Sequence, residues 1–401
     1  MSAHNSILII VQNLPVPFDR RVWQEAVSLR RAGYEVSVIC PKKRMYTKGF
    51  ERSEGIDIYR YAMLHDADRA ALGFVIEFLY CWIATLVLAV FIYLRRPFHA
   101  IHACNPPDTY FALALLFRPL GVKFVFDHHD LCPEMYSAKG NRPLRLFYWG
   151  LLLLERLTIR SAAAVIAVNE SHRDIAIRRG RAKPSKVTIV RSGPRLEWSN
   201  TRPVKLELRQ NRKYVVVYVG EMGSQDGVDL LLSAIRHYAN QYPKDTLFTL
   251  IGGGPEQPRM KDLSEHLNLH EWVTFTGRIK DDDLLRQYLM TADLCIAPDP
   301  RTEYGDLSTT NKIIEYLACG KPVVAFDLTE HRRTAQGGAV YVEPNSVTKL
   351  GDVTRELLVD EHRREAMGRF GQNRFREQLA WENSESGLLD IYSRLLGKKG
   401  A

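Results

Sequence analysis

Two patterns alternate along the chain: short continuous apolar runs, and longer stretches whose apolar positions recur every three or four residues. Residues 7–11 read as a strand, 22–31 as an amphipathic helix stopped by Gly33, and 35–40 as a second strand. That is a βαβ opening, the start of a parallel sheet. Apolar runs at 100–104, 123–126, 164–168 and 187–190 extend it. Each ends in a polar cluster: Asn105 to Asp108, Asp127 to Asp130, Asn169 to Ser171, and Arg191 to Gly193. Ligands of open parallel sheets bind where the strands end, so His, Asp and Asn repeated at those ends predict a binding edge.

A second series follows residues 194–213, which carry Pro194, Asn200 and Pro203 without an apolar period and read as an interdomain linker. Strands are predicted at 214–219, 247–251, 273–275, 294–297 and 322–326, with helices at 229–238 and 259–267. Glycines mark the strand ends at Gly220 and Gly223, Gly252 to Gly254, and Gly277, and permit close backbone approach to a ligand. Asp281 to Asp283 precede Leu284 and Leu285 as a helix cap rather than a metal cluster. Helices over 353–375 and 382–396 close the chain, with Lys398 and Lys399 as a frayed tail. The expected domains are 1–200, 201–380, and a terminal helix within 381–401 that packs back toward the first.

Residues 72–94 are apolar for the length of a bilayer crossing and are followed by Arg95 and Arg96, but Glu77 interrupts them. Strands of one sheet are predicted on both sides of this stretch, and a crossing would put them on opposite faces of a membrane. A buried or interfacial helix is therefore expected. Residues 144–159 read alike, with Arg142, Arg145, Arg156 and Arg160 toward their ends.

Composition changes the picture in two places. The net charge of +9 is uneven: residues 1–200 hold 28 Lys and Arg against 17 Asp and Glu, whereas residues 201–401 hold 27 against 29. A basic first half points to an anionic surface, membrane or nucleic acid, but no nucleic-acid reading module accompanies it. The expectation is therefore a peripheral protein of the inner face of the plasma membrane, with no nucleic-acid partner. The six cysteines (Cys40, Cys81, Cys104, Cys132, Cys295, Cys319) show no C-x-x-C pair or zinc spacing and suit reduced thiols. Residues 7–11 are too short for a secretory h-region.

The densest chemistry lies in residues 305–326. Ser308, Thr309 and Thr310 offer hydroxyls to cap a helix; Asn311, Lys312 and Glu315 share its face, and Gly320 with Pro322 ends it before a buried strand. A helix N-terminus with a lysine suits phosphate, and a glutamate suits a diol. The competing reading is a plain surface ion pair between Lys312 and Glu315. In the first half, Arg20 and Arg21 follow the first strand, where no G-x-G-x-x-G occurs, so a Rossmann dinucleotide site is not expected.

Together these stretches resemble the family 4 retaining glycosyltransferases, of a bacterial polysaccharide subgroup, over nearly the whole length. The resemblance rests on Asp19-Arg-Arg-Val-Trp-Gln-Glu-Ala26, Asp127-His-His-Asp-Leu-Cys-Pro-Glu134, Gly252-Gly-Gly-Pro255, Thr276-Gly-Arg278 and the run from Ser308 to Val324. It implies an α/β GT-B fold, two doubly wound Rossmann-like domains facing across a cleft. It also implies transfer of a sugar from a nucleoside-diphosphate donor to a glycan or lipid-linked acceptor in cell-surface polysaccharide synthesis, with no metal and no cofactor.

By the same resemblance, Glu315 takes the donor ribose, while Lys312 and the amides near Ser308, Thr309 and Thr310, with Asn311 beside them, lie by the diphosphate. Gly223 and Gly253 belong to the phosphate loops, and Arg278 with Ile279 lies near the base. His129 approaches the donor sugar from the first domain, where Arg20, Arg21, Asn105, Asp130 and Glu134 form the acceptor side. Two departures stand out. The family's first glutamate is replaced by Leu307, with Asp306 the nearest substitute, and the loop Glu221 to Gly227 lacks the usual Arg and Lys. The rival readings are a sugar-nucleotide 2-epimerase of the same architecture and a non-catalytic partner subunit.

Overall fold

The computed structural model describes residues 5–43, 45–63, 71–139 and 144–397. Arg142, Lys398 and Lys399 lie outside them. The chain forms two compact units, one from Met1–Arg191 with Ser384–Ala401 and one from Ser192–Asn383.

The first unit holds an eight-stranded sheet ordered β3-β4-β2-β1-β5-β6-β7-β8. Its strands are β1 (Ser6–Ile10), β2 (Glu35–Pro41), β3 (Phe50–Ser53), β4 (Ile56–Tyr61), β5 (Ala100–Cys104), β6 (Lys123–His128), β7 (Ala164–Ala167) and β8 (Val187–Ile189). All pairings are parallel except β3 with β4. The β3–β4 hairpin was not anticipated. Glu54 and Gly55 both take positive φ, the backbone of a tight two-residue turn, but Glu-Gly between polar residues is a faint turn signal. Helices are α1 (Arg20–Arg31), α2 (Ala71–Arg95), α3 (Phe111–Phe117), α4 (Cys132–Lys139), α5 (Arg145–Ser161) and α6 (Glu170–Arg178).

Helix α2 lies against the sheet along one stripe only. Cys81, Thr85, Ala89 and Ile92 are buried at helical spacing, while Ile76, Leu79, Ile83, Val87, Val90 and Leu94 are exposed. The strands before and after it, β4 and β5, belong to the same parallel sheet. The helix is half core and half exposed apolar face, so neither of the two expected readings describes it alone.

The second unit holds a six-stranded parallel sheet ordered β11-β10-β9-β12-β13-β14. The strands are β9 (Tyr214–Glu221), β10 (Thr246–Gly253), β11 (Val273–Gly277), β12 (Leu294–Ala297), β13 (Val323–Phe326) and β14 (Ala339–Val342). Its helices are α7 (Val228–Gln241), α8 (Gln257–His266), α9 (Asp282–Thr291), α10 (Glu303–Leu307), α11 (Asn311–Ala318), α12 (Thr329–Ala335), α13 (Val347–Val359) and α14 (Glu361–Arg374).

Alternate strand residues enter two separate cores. Val216, Tyr218, Leu294 and Ile296 pack with α7 and α13, whereas Val215, Val217, Cys295 and Ala297 pack with α9 and α11. Continuous apolar runs are what a sheet covered on both faces requires.

Two differences from expectation have simple causes, and the helix expected at the end of the chain is present. The stretch 194–213 is not a free linker: Trp198 is buried in the second unit's core and Arg209 pairs with Asp293 at 2.8 Å. The helix expected over 353–375 is two helices, because the Asp360 side chain accepts from Arg363 N and starts α14 afresh. That helix, α15 (Trp381–Leu396), begins in the second unit and from Ser384 belongs to the first. There the ring of Tyr392 lies beside those of Tyr34 and His102.

Candidate functional site

Each sheet reverses its winding once. In the first, the chain runs from β1 outward to β4, then returns to β5 on the other side of β1; in the second it leaves β9 for β11 and returns to β12. The carboxyl ends at such a switch point form a crevice, and the unusual polar groups gather there in both units.

In the first unit, β6 delivers Asp127 and His129 to that edge, and α1 delivers Arg21. The buried Asp127 carboxylate accepts from Arg21 Nε at 2.9 Å and Nη2 at 2.7 Å, and lies 2.9 Å from His129 Nδ1. Burial by itself would lower the His129 pKa; Asp127 overrides it and holds the imidazole protonated up to about 9. Burial likewise opposes ionisation of Asp127, yet Arg21 and His129 hold its carboxyl well below the usual range. His129 therefore presents Nε2–H as a cationic donor rather than a base.

Behind this pair, Arg21 also reaches Glu25 at 3.1 Å, Glu25 lies 3.3 Å from His102, and His102 Nδ1 lies 2.7 Å from the Tyr392 hydroxyl. Burial pushes Glu25 up to about 8 and His102 down to about 4, so both are neutral at pH 7. Glu25, His102, Cys104 and Asp127 approach one another closely enough to hold a metal ion. The Arg21 guanidinium already supplies a cation to the Asp127 carboxylate and also contacts Glu25.

The expected acceptor side is part buried and part surface. Asn105 is buried; its Oδ1 accepts from His129 N at 2.9 Å and Asp130 N at 3.0 Å, and its Nδ2 donates to Asp130 O at 2.6 Å. It fixes the backbone that carries His129. Glu134 is buried against Arg179, which also binds Glu155. Arg21, Asn105 and Glu134 all direct polar atoms to partners within the first unit. Arg20 is exposed and Asp130 half-buried, its Oδ2 4.0 Å from His129 Nε2.

In the second unit the counterpart is Lys312, on the first turn of α11. Its ammonium donates to Asp299 Oδ1 at 2.6 Å, lies 4.0 Å from Asp226 Oδ1, and sits 5.0 Å from the centre of the Tyr218 ring. Burial would strip its proton, but Asp299, Tyr218 and Asp226 outweigh burial and raise its pKa. The partner of Lys312 is therefore Asp299 at the end of β12, and the simple surface-pair reading with Glu315 does not describe it. Asp226 also accepts from Gly223 N at 2.9 Å, and burial raises its pKa against the pull of Lys312. His331 Nδ1 donates to Phe326 O at 2.9 Å, its Nε2 is 3.6 Å from Asp299 Oδ2, and burial lowers its pKa. Glu315 is half-buried and Asn311 exposed one turn apart on the same helix.

The hydroxyls before α11 do not cap it. Ser308 Oγ donates to Tyr304 O at 2.8 Å, Thr309 Oγ1 to Glu330 at 3.3 Å, and Thr310 Oγ1 lies 3.5 Å from His331. Thr310 is the N-cap residue, but its side chain makes no capping bond to the helix. Asp306, the substitute for the missing glutamate, accepts from Thr329 N at 2.9 Å and Thr329 Oγ1 at 2.7 Å. Both its oxygens bind the first residue of α12, which points away from a catalytic role.

Glycine at the strand ends serves loop against loop. A Cβ on Gly252 (φ +138°) would stand 1.8 Å from Gly220 O, and one on Gly254 would stand 2.6 Å from Met222 O. Gly253 pairs with Glu221 in the β9–β10 register. Arg278 Nη2 donates to Glu221 Oε2 at 2.7 Å on the surface, with Ile279 partly buried beside that core.

Asp299, Glu25, His102 and Tyr392 were not singled out from sequence. Asp299 had a signal, an acid directly after an apolar strand; the other three lie inside ordinary helix and strand patterns.

Comparison with known proteins agrees with the architecture. The family profile described as "Glycosyl transferase 4-like domain" matches residues 19–193, and "Glycosyl transferases group 1" matches 213–360. The alpha-D-kanosaminyltransferase of Streptomyces kanamyceticus is 24% identical over 269 residues, 63% of this chain and 66% of that enzyme. The capsular polysaccharide biosynthesis glycosyltransferase CapM of Staphylococcus aureus is 25% identical over 272 residues, 63% of this chain and 69% of that one. Anabaena Alr3699/HepE, solved with UDP and glucose, superposes with a TM-score of 0.71 at 16% identity, covering 98% of this chain and 100% of that one. Two parallel-sheet α/β units, each with its polar groups at a switch point, define the class. The chain belongs to the family 4 glycosyltransferases of GT-B fold.

Proposed function

We propose that the protein transfers a sugar from a nucleoside-diphosphate donor, with retention at the anomeric carbon and without a metal, to a glycan or lipid-linked acceptor in cell-surface polysaccharide synthesis. The observation that carries this reading is Lys312, a buried ammonium at the β9–β12 switch point on the first turn of α11, with Glu315 further along that helix. An ammonium and the amides at a helix start suit a diphosphate, and a carboxylate suits ribose hydroxyls. HepE binds UDP and glucose, and CapM works in capsular polysaccharide synthesis; both support the donor and product classes.

In the proposed reaction the bond from the anomeric carbon to the β-phosphate oxygen breaks, and the nucleoside diphosphate leaves with its electrons. Lys312 and the α11 amides stabilise the charge that develops on the β-phosphate. The acceptor oxygen bonds to the anomeric carbon from the same face and passes its proton to the departing phosphate. In the first unit His129, held cationic by Asp127, offers Nε2–H as a donor.

The test is thermal stabilisation by UDP-, GDP- and TDP-sugars, followed by turnover with membrane lipid extracts as acceptor. One donor should raise the melting temperature, and Glu315→Ala should abolish the rise. Failure of every sugar nucleotide to stabilise the protein overturns the reading. Interconversion of the sugar without acceptor would show the epimerase, and binding without turnover the non-catalytic subunit.

A further inference from the structure

The first unit carries an apolar surface too large for an ordinary exposed face. Of twenty-three large hydrophobic side chains left exposed among the described residues, fifteen lie on α2, on α3 with the turn that follows it, and on α5. The three helices are neighbours: Tyr93 of α2 and Phe117 of α3 bring their ring centres to 5.4 Å, and α3 lies against α5. The most exposed members are Leu94 (80%), Val87 (61%), Leu116 (58%), Leu146 (86%) and Trp149 (58%). Contiguous apolar area of this kind marks a docking surface.

Charge identifies the occupant. Arg95 ends α2, Arg118 follows α3, and Arg145 and Arg160 stand at the two ends of α5, all exposed. The acidic groups on these helices are Glu77, half-buried, and Glu155, buried against Arg179. An apolar face edged by guanidinium groups matches a bilayer with anionic headgroups, since apolar side chains enter the acyl boundary while arginines meet phosphate.

We infer that α2, α3 and α5 form a monotopic membrane-docking face that lies in the interface of an anionic bilayer and does not cross it. Crossing by α2 would pull Cys81, Thr85, Ala89 and Ile92 from the core and separate β4 from β5, which share one sheet. The 25-residue helix instead lies along the surface with its opposite stripe immersed. This inference rests on the surface of the first unit and not on the proposed chemistry. Together with that chemistry, it makes the acceptor a lipid-anchored one presented at the same interface.

The test uses the full chain with vesicles of phosphatidylcholine alone or mixed with phosphatidylglycerol, read by flotation and by the part of the tryptophan emission that Trp149→Phe removes. The wild type should float with anionic vesicles at low salt, with a blue-shifted emission, and be released by high salt. Leu146→Glu with Leu153→Glu, and separately Val87→Glu with Leu94→Glu, should weaken binding about tenfold or more. Arg95→Ser with Arg145→Ser should weaken it to a similar extent and reduce its salt dependence. Circular dichroism and donor-induced stabilisation of the second unit report whether each variant is folded. Protein that ignores anionic vesicles, or membrane protein that only detergent extracts, overturns the inference. So does a dimer that the glutamate variants split without any vesicle binding. Vesicle binding without donor-induced stabilisation would retain this inference and remove the proposed function; the converse would do the opposite.

Discussion

The Asp127 carboxylate lies 2.9 Å from His129 Nδ1, and the same carboxylate is gripped by two nitrogens of Arg21. A histidine so placed is a fixed cation whose second nitrogen points elsewhere. Asp127→Asn should lower transfer by roughly a hundredfold, the scale of a lost electrostatic contact in an active site, while leaving nucleotide binding nearly unchanged. In the wild type the loss of the His129 proton near pH 9 should cut the rate above that pH, and Asp127→Asn should move the fall to lower pH. The sign follows from a raised pKa. The pairing stabilises the fold fully below His129's ordinary value of 6.5 and is lost as pH rises through about 9. A pH profile of kcat/KM for both proteins checks this, and identical profiles would refute it.

Lys312 and Asp299 are both nearly buried, so removing either partner leaves a charge stranded. Asp299→Asn should therefore destabilise the protein by roughly 3 kcal/mol, as broken buried pairs do. Lys312→Ala should reduce turnover by on the order of a hundredfold or more. Urea melts and steady-state kinetics measure the two effects. Wild-type turnover in Lys312→Ala would place the chemistry elsewhere.

Tyr392 of α15 meets His102 within the first unit at 2.7 Å, behind the contacts of Glu25 with His102 and Arg21. Tyr392→Phe should cost about 1–3 kcal/mol by leaving a buried ring nitrogen unpaired. Transfer per folded molecule should fall less than twofold. A thermal melt beside active-site titration separates the two quantities.

Gly252→Ala tests the loop-on-loop contact. A methyl 1.8 Å from Gly220 O, at φ +138°, forces β9 and β10 apart at their functional ends. Donor-induced stabilisation should be lost even where the protein still folds, and retention of it would show that this edge is not the donor site.

Chelation gives the last expectation. With Lys312 at the proposed diphosphate site, EDTA should leave transfer intact. Activity lost in chelator and restored by magnesium or manganese would overturn the metal-free reading.

Much of the architecture was legible because apolar runs and helical periods are local properties. The run at 100–104 is β5 residue for residue, and Asp281 caps α9 through Asp283 N as its position before two leucines implied. Lys312 stood out in a polar string at a helix start, and His129 in one at a strand end. What surrounds them did not. Asp299 is 13 residues from Lys312, and Tyr392 is 290 from His102; no period connects such pairs.

By itself the sequence determined two parallel-sheet units, most strand positions, and the stretches that carry polar chemistry, because burial on both sheet faces demands continuous apolar runs. Tertiary structure alone decided which partners the polar side chains meet. Asn105, Glu134 and Asp306 look identical to site residues in one dimension, and only packing shows their oxygens and nitrogens already engaged. It also decided that α2 has two apolar stripes with different fates. A uniformly apolar helix carries no internal sign of which side meets the sheet; that is fixed by strands β4 and β5, which bracket it in sequence and share its sheet in space.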